Sequence, residues 1–207
     1  MRQSSYNSSV KSLDKTHKSF LYTDENLISR FQSGDENAYI ELVNRYKDRL
    51  KNFAFYFLKD DEQAEDIVQD TFIKLYQKKH YYRPIGKFST WIYTITRNLA
   101  NTELRKRKRR NTIYLSQFRK DKGGYEIPAA DRSAARSLEN EFMLKKIHEA
   151  IDKLSDNYKS IIILRDIQGL SYDEISEIVK VPLGTVKSRI NRARLQLQLQ
   201  LQDLKEE

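Results

Sequence analysis

The sequence has no cysteine. Disulfide staples and thiolate metal sites are therefore excluded, which fits a reducing compartment, and a cytoplasmic location is expected. Proline and glycine are scarce, with three and six among 207 residues. Alternating β-branched runs are few, so the chain reads as mostly helical. The longest apolar runs, 53–58 and 161–164, fall far short of the ~20 residues of a helical membrane span, so no membrane insertion is expected. The first 20 residues lack the apolar stretch of a secretory signal. They are rich in Ser, Asn and Lys, and residues 1–23 read as a disordered extension. Neither HExxH, a P-loop nor a nucleophile elbow occurs, and His17, His80 and His148 stand far apart. No catalytic residue, metal site or cofactor is expected, and the chain does not read as an enzyme.

What is present is positive charge. The formal net charge is +9, and the isoelectric point is near 9.5. The expected partner is polyanionic, either nucleic acid or an acidic membrane surface. With a length of 207 residues and 39% apolar content, one or two small domains are expected.

Helical spacing organises the chain into two units. Asp24 reads as an N-cap before Leu27, Ile28 and Phe31, and Gly34 as the stop. Asp35 opens a long helix whose stripe includes Tyr39, Leu42, Tyr46, Leu50 and Phe53. A third helix starts at Asp60, Asp61 and Glu62, where acidic residues suit the helix dipole. The segment HYYRPIGK breaks the period at Pro84 and Gly86. Ser89 reads as the cap of a fourth helix with Trp91, Ile92, Ile95 and Leu99 inward. On that wheel Tyr93, Arg97 and Asn101 point outward, with Asn98 at the edge. Trp91 reads as core, whereas Phe88 reads equally well as a core staple or a base-facing ring. The helix then runs into six consecutive cations, 105–110. Residues 24–110 form one helical domain in this reading. Residues 111–135, with Gly123, Gly124 and Pro128, read as a linker. The second helical domain occupies 136–207, with Leu138, Phe142, Ile147, Ile151 and Leu154 on its first helix. Ser155 caps the next helix and Gly169 closes it.

Within the second domain, GLSYDEISEIVKVPLGTVKSRINRARLQ has the plan of a helix-turn-helix. Ser171 and Glu174 form a capping box. Ile175, Ile178 and Val179 face inward, and Pro182 and Gly184 break the chain. A second helix follows, with Val186, Ile190, Ala193 and Leu197 on one stripe. At ~100° per residue, Ser188, Asn191 and Arg192 lie opposite that stripe. Thr185 lies near them, and Lys187, Arg189 and Arg194 flank them. Five cations and no anion stand between Lys180 and Arg194. Arg and Asn can read purine edges in a major groove, and Lys and flanking Arg suit phosphates.

The segment LSYDEISEIVKVPLGTVKSRINRAR resembles the promoter −35-binding segment of bacterial sigma factors of the sigma-70 family, extracytoplasmic-function (ECF) subgroup. The resemblance implies −35 contacts from Thr185, Lys187, Ser188, Arg189, Asn191 and Arg192. DDEQAEDIVQDTFIKLYQ resembles the segment of that family that docks on RNA polymerase core. It implies Asp66, Gln69 and Asp70 as polar contacts, with Phe72, Ile73 and Tyr76 in or behind the interface. FSTWIYTITRNLANTELRKRKRR resembles the segment that opens and reads the −10 element. There the resemblance implies Tyr82, Lys87, Phe88, Tyr93, Arg97, Asn98, Asn101 and Arg105, with residues 81–88 as a pocket for a flipped base. Aromatic faces beside cations are what capture of unstacked bases requires. The fold implied is all-α, a sigma region 2-like bundle and a sigma region 4-like helix-turn-helix domain on a flexible linker. The partners implied are polymerase core (the clamp helices of the largest subunit, and the flap), promoter DNA and an anti-sigma factor.

On the residues alone, two other readings stay open: a dimeric helix-turn-helix repressor, and a polymerase-binding regulator without promoter recognition. The tail LQLQLQLQDLKEE continues a helix, and Leu195 and Leu199 then point away from the Leu197 stripe. Such leucines point to a partner, an anti-sigma factor or polymerase.

Overall fold

The computed structural model describes residues 22–117 and 135–202. Among them stand eight α-helices and no strand, as an all-α chain requires. They fall into two compact units divided between Ala100 and Asn101.

The first unit contains α1 (Asp24–Gln32), α2 (Glu36–Leu58), α3 (Asp61–Lys78), a 3-10 turn (Lys79–Tyr81) and the start of α4 (Phe88–Gln117). Short-range caps set most boundaries. The Asp35 carboxylate accepts from Asn37 N at 3.0 Å, and Gly34, with φ of 101°, turns the chain ahead of it. Asp60 accepts from Gln63 N at 3.0 Å to open α3. Two caps differ from the sequence reading. Thr23, not Asp24, caps α1, its hydroxyl accepting from Asn26 N at 3.2 Å. The Asp24 carboxylate instead holds the Tyr46 hydroxyl at 2.5 Å and Arg45 at 2.8 Å, fastening α1 to α2. Helix α4 starts at Phe88, so Ser89 lies inside its first turn. The Phe88 N–H is donated to the Glu25 carboxylate at 3.1 Å, a cap supplied from α1. Between α3 and α4, the buried Thr71 hydroxyl meets that of Thr96 at 3.2 Å.

Leu27, Ile28 and Phe31 of α1 and Leu42, Leu50 and Phe53 of α2 are buried, as helical spacing predicts. Each such side chain contributes about 1.5–3 kcal/mol by leaving water. Helix α4 runs on to Gln117, into the stretch read as linker. Gly123, Gly124 and Pro128, and residues 1–21 of the N-terminal extension, lie outside the described residues.

In the second unit, α5 (Ala135–Lys153) is followed by α6 (Asp156–Ile162), a wider π-type turn (Ile163–Ile167), α7 (Tyr172–Val179) and α8 (Leu183–Gln202). Ser155 occupies the cap position of α6, and Gly169, with φ of 74°, turns the chain ahead of α7. Leu154, Ile162 and Ala193 pack together with Tyr158 and Leu197, which joins α6 to α8. The side chains of Leu138 and Phe142 lie outside the described residues.

Candidate nucleic-acid interface and docking face

Helices α7 and α8 build the first surface. The capping box is complete: Glu174 N donates to the Ser171 hydroxyl at 3.3 Å, and Ser171 N to the Glu174 carboxylate at 3.0 Å. Ile175, Ile178 and Val179 are buried beneath it. The turn differs from expectation. Lys180, with φ of 56°, makes the left-handed step that ends α7. Gly184 sits inside the first turn of α8, and the Pro182 carbonyl accepts from Thr185 N at 2.9 Å and Val186 N at 3.1 Å. Composition pointed to Pro182 and Gly184 because lysine seldom adopts left-handed backbone.

Val186, Ile190 and Ala193 bury one side of α8. On the other side Lys187, Ser188, Asn191 and Arg192 are exposed, and Thr185 and Arg189 are half-buried. The Ser188 hydroxyl donates to the Thr185 carbonyl at 3.0 Å, so its oxygen lone pairs remain able to accept. Arg194 is engaged elsewhere: it grips Asp166 with contacts of 2.5 and 3.1 Å. Those hydrogen bonds raise its guanidinium further above the ordinary value. The exposed face therefore presents two groups capable of paired hydrogen bonds to purines, Asn191 and Arg192, with a lysine beside them. Leu195 and Leu199, each 57% exposed, continue that face toward the end of α8.

The second surface is the loop before α4 together with α4 itself. Here three residues implied as DNA contacts belong to the core. Tyr93 is fully buried, its ring 5.3 Å from Phe53 at 90° and 6.4 Å from Tyr46. Burial pushes its hydroxyl up to about 12. Phe88 is also fully buried, and Tyr82 is nearly so. The Tyr82 hydroxyl donates to the Gly86 carbonyl at 2.8 Å, tying the loop closed. Gln32 donates to the Lys79 and Tyr82 carbonyls at 2.7 and 3.0 Å, pinning the start of the loop to α1.

Trp91, expected in the core, is only half-buried and rests against Tyr82 and Phe88 with ring centroids 5.5 and 6.2 Å away. The physical reason is the phase of the helix. Phe88, Ile92, Tyr93, Thr96 and Ala100 form the buried arc, and Trp91 lies beside it. The aromatic rings that stay accessible on this surface are Tyr81, 79% exposed, and half-buried Trp91. Ile85, 89% exposed, stands at the loop tip between exposed Arg83 and Lys87. Tyr81 could have been separated from its neighbour Tyr82 only by knowing which of the pair turns inward. Along α4, Arg97 and Asn101 are half-buried, and Asn98 and Arg105 are exposed. Burial lowers the Arg97 pKa. Glu103 pairs with Lys106 at 3.3 Å and Arg110 at 2.7 Å, so part of the cationic run is engaged within the helix.

The third surface is α3. Asp66, Gln69, Asp70, Ile73 and Tyr76 are exposed. Phe72 is 7% exposed and lies behind them, whereas Ile73 is 52% exposed. Tyr76 is braced by Phe31 and Tyr39, each ring centroid 5.4 Å away. Its hydroxyl reaches the Glu36 carboxylate of α2 at 3.4 Å. Ile40, one turn after Glu36, is also exposed, and sequence reasoning did not single it out. Asp61 and Glu65 are held by Lys51 at 2.9 and 3.3 Å. Among the described residues no group of His, Asp and Glu is arranged to hold a metal ion, and no helix is long and apolar enough to cross a membrane.

Comparison with known proteins places these surfaces in a family context. Residues 42–110 match the family model of sigma-70 region 2, and residues 144–197 that of sigma-70 region 4. Over 184 residues the chain is 37% identical to the ECF RNA polymerase sigma factor SigW of Bacillus subtilis, covering 86% of this chain and 96% of that protein. It is 34% identical over 188 residues to the ECF RNA polymerase sigma-E factor of Haemophilus influenzae, covering 88% and 97%. Among solved structures, the sigma factor RpoE of Bartonella quintana, in complex with the anti-sigma factor NepR, superposes with a TM-score of 0.63 at 29% identity. That match covers 78% of this chain and 95% of the other. CnrH, in complex with the cytosolic domain of CnrY, shares the fold with a TM-score of 0.64 at 23% identity, covering 87% and 97%.

Proposed function

The chain belongs to the ECF sigma factors of the sigma-70 family, and on that premise we propose how its parts divide the work of transcription initiation. As a sigma factor it is not an enzyme. It binds RNA polymerase core and directs initiation at promoters. The observation that carries the division of labour is the order of the two family matches, region 2 before region 4, with an exposed polar and basic face on α8 inside the second.

Residues 24–110 act as the polymerase-docking and −10 domain, and 136–207 as the −35 domain. The α3 face docks on the clamp helices of the largest subunit. Ile73 and Tyr76 supply the apolar contact, Asp66, Gln69 and Asp70 the polar rim, and Phe72 the support behind them. The second unit sits at the polymerase flap. The loop 81–88 and α4 take the opened −10 strand, with Tyr81 and Trp91 as stacking surfaces. Lys87, Arg97, Asn98, Asn101 and Arg105 follow the strand, and Tyr82, Phe88 and Tyr93 hold the loop and helix in place. On α8, Asn191 and Arg192 read −35 bases. Thr185, Lys187, Ser188 and Arg189 position the helix on the duplex. An anti-sigma factor regulates the protein, a reading supported by the Bartonella relative bound to one. Since polymerase core and chromosomal promoters are the partners, its place is the cytoplasm.

Replacing Arg192 or Asn191 with alanine should weaken initiation at −35-dependent promoters by ~1–3 kcal/mol per lost base contact. The measurement is initial transcription from matched templates with intact and scrambled −35 elements. Equal losses on both templates would show that these side chains do not read bases.

A further inference from the structure

Among the described residues, φ is positive at Gly34, Gly169, Lys59 and Lys180. Two of these positions hold glycine, which takes that backbone without a Cβ clash, and two hold lysine. Lys59 has a local reason to be a lysine. Its ammonium lies 5.7 Å from the Phe55 ring centroid and 5.3 Å from that of Tyr56. Lys180 is exposed, and among the described residues no acid or ring meets its ammonium.

The backbone under Lys180 is fixed. Its N–H donates to the Ser176 carbonyl. Val181 N bonds the same carbonyl at 3.3 Å, and the Ser176 hydroxyl donates to the Val181 carbonyl at 2.6 Å. The lysine thus leaves the protein from a held turn just ahead of Leu183, where α8 begins. In a helix-turn-helix the first helix crosses the phosphate backbone and the second lies in the major groove. The turn that joins them passes the wall of the groove, where the phosphates stand. No anion occurs from Lys180 to the end of α8.

We propose that Lys180 is a phosphate anchor at the −35 element, setting how α8 enters the groove, and that its charge explains a lysine where the backbone favours glycine. This rests on the −35 reading of α8. The test uses holoenzyme reconstituted with wild-type, Lys180→Gln, Lys180→Gly or Lys180→Arg chain, and promoter affinity measured by fluorescence anisotropy against salt. The Gln and Gly variants should bind several-fold more weakly at low salt, with a log–log salt slope shallower by about 0.9. The Arg variant should keep the wild-type slope. Lys180→Gly should also raise the unfolding temperature of the free chain, and Lys180→Gln should not, which separates charge from backbone strain. A wild-type slope and affinity in Lys180→Gln, or an Arg variant as weak as the Gln one, overturns the anchor. Arg192→Ala in the same titration separates the two levels. If it loses −35 discrimination while Lys180→Gln loses nothing, only the anchor fails. If neither loses anything, the −35 reading fails and the anchor with it.

Discussion

Replacing Ile73 with aspartate is expected to lower affinity for RNA polymerase core by about 2–4 kcal/mol, roughly 30- to 1,000-fold, and to leave the fold intact. The size of the loss follows from placement. Ile73 is the largest apolar side chain exposed on the outer face of α3 between Asp70 and Tyr76, and it is 52% exposed. Its removal costs the free chain little, because surface changes usually stay within about 0.5 kcal/mol. At a desolvated interface the new carboxylate would be buried without a partner, which is where interface substitutions become expensive. Phe72, the preceding residue, gives the opposite result. It is 7% exposed, so Phe72→Ala should cost about 3–5 kcal/mol of stability and lose binding only through unfolding. Competition of labelled wild-type chain from core, beside urea unfolding of each variant, reads both quantities. Wild-type affinity in Ile73→Asp would remove α3 from the interface.

The second large effect concerns Tyr93. Tyr93→Ala should destabilise the first unit by about 3–5 kcal/mol, since it deletes a fully buried ring packed edge-on against Phe53. Tyr81→Ala should leave stability unchanged and weaken promoter opening by about 1–3 kcal/mol, the value of one base–aromatic stack. Thermal unfolding and permanganate reactivity of the opened strand separate the two. The ionisation of Tyr93 gives the first half an independent check. Burial raises its hydroxyl to about 12, and that of Tyr46 in the same direction. A free tyrosine ionises near 10. The folded state therefore holds these protons more tightly than the unfolded state, and that stability is present below pH ~10 and lost as pH rises toward about 12. A folded, normally stable Tyr93→Ala chain that fails only in promoter opening would return Tyr93 to the DNA face.

Features that depend on residues close in sequence were legible before the structure. Asp35, Asp60 and the Ser171–Glu174 box each bond backbone within three residues, so spacing alone identifies them. The buried side of α8 was legible for a similar reason, because Val186, Ile190 and Ala193 leave no ambiguity of phase. Helix α4 was different. It carries large apolar or aromatic side chains around much of its first turns, and the phase was set by Trp91. The aromatic cluster of Tyr46, Phe53 and Phe88 selects the arc that includes Tyr93 instead, leaving Trp91 at the margin. Which arc wins depends on α2 rings 40–47 residues away, and the Glu25 cap on Phe88 comes from 63 residues away. Lys180 was legible as a cation but not as the turn residue, because its left-handed backbone has no compositional signal. The chemistry of the site was legible in two stages. Charge and the helix-turn-helix pattern point to DNA from the residues themselves, whereas polymerase and promoter opening entered through the family resemblance of α3 and α4.

Initiation on genomic DNA tests the sigma role most directly. Purified chain is added to RNA polymerase core, transcripts are made in vitro, and their 5′ ends are sequenced beside those made by core alone. Starts absent with core alone, clustered downstream of one shared pair of −35 and −10 elements, are the expected result. A chain that binds core and yields no promoter-dependent starts would contradict it.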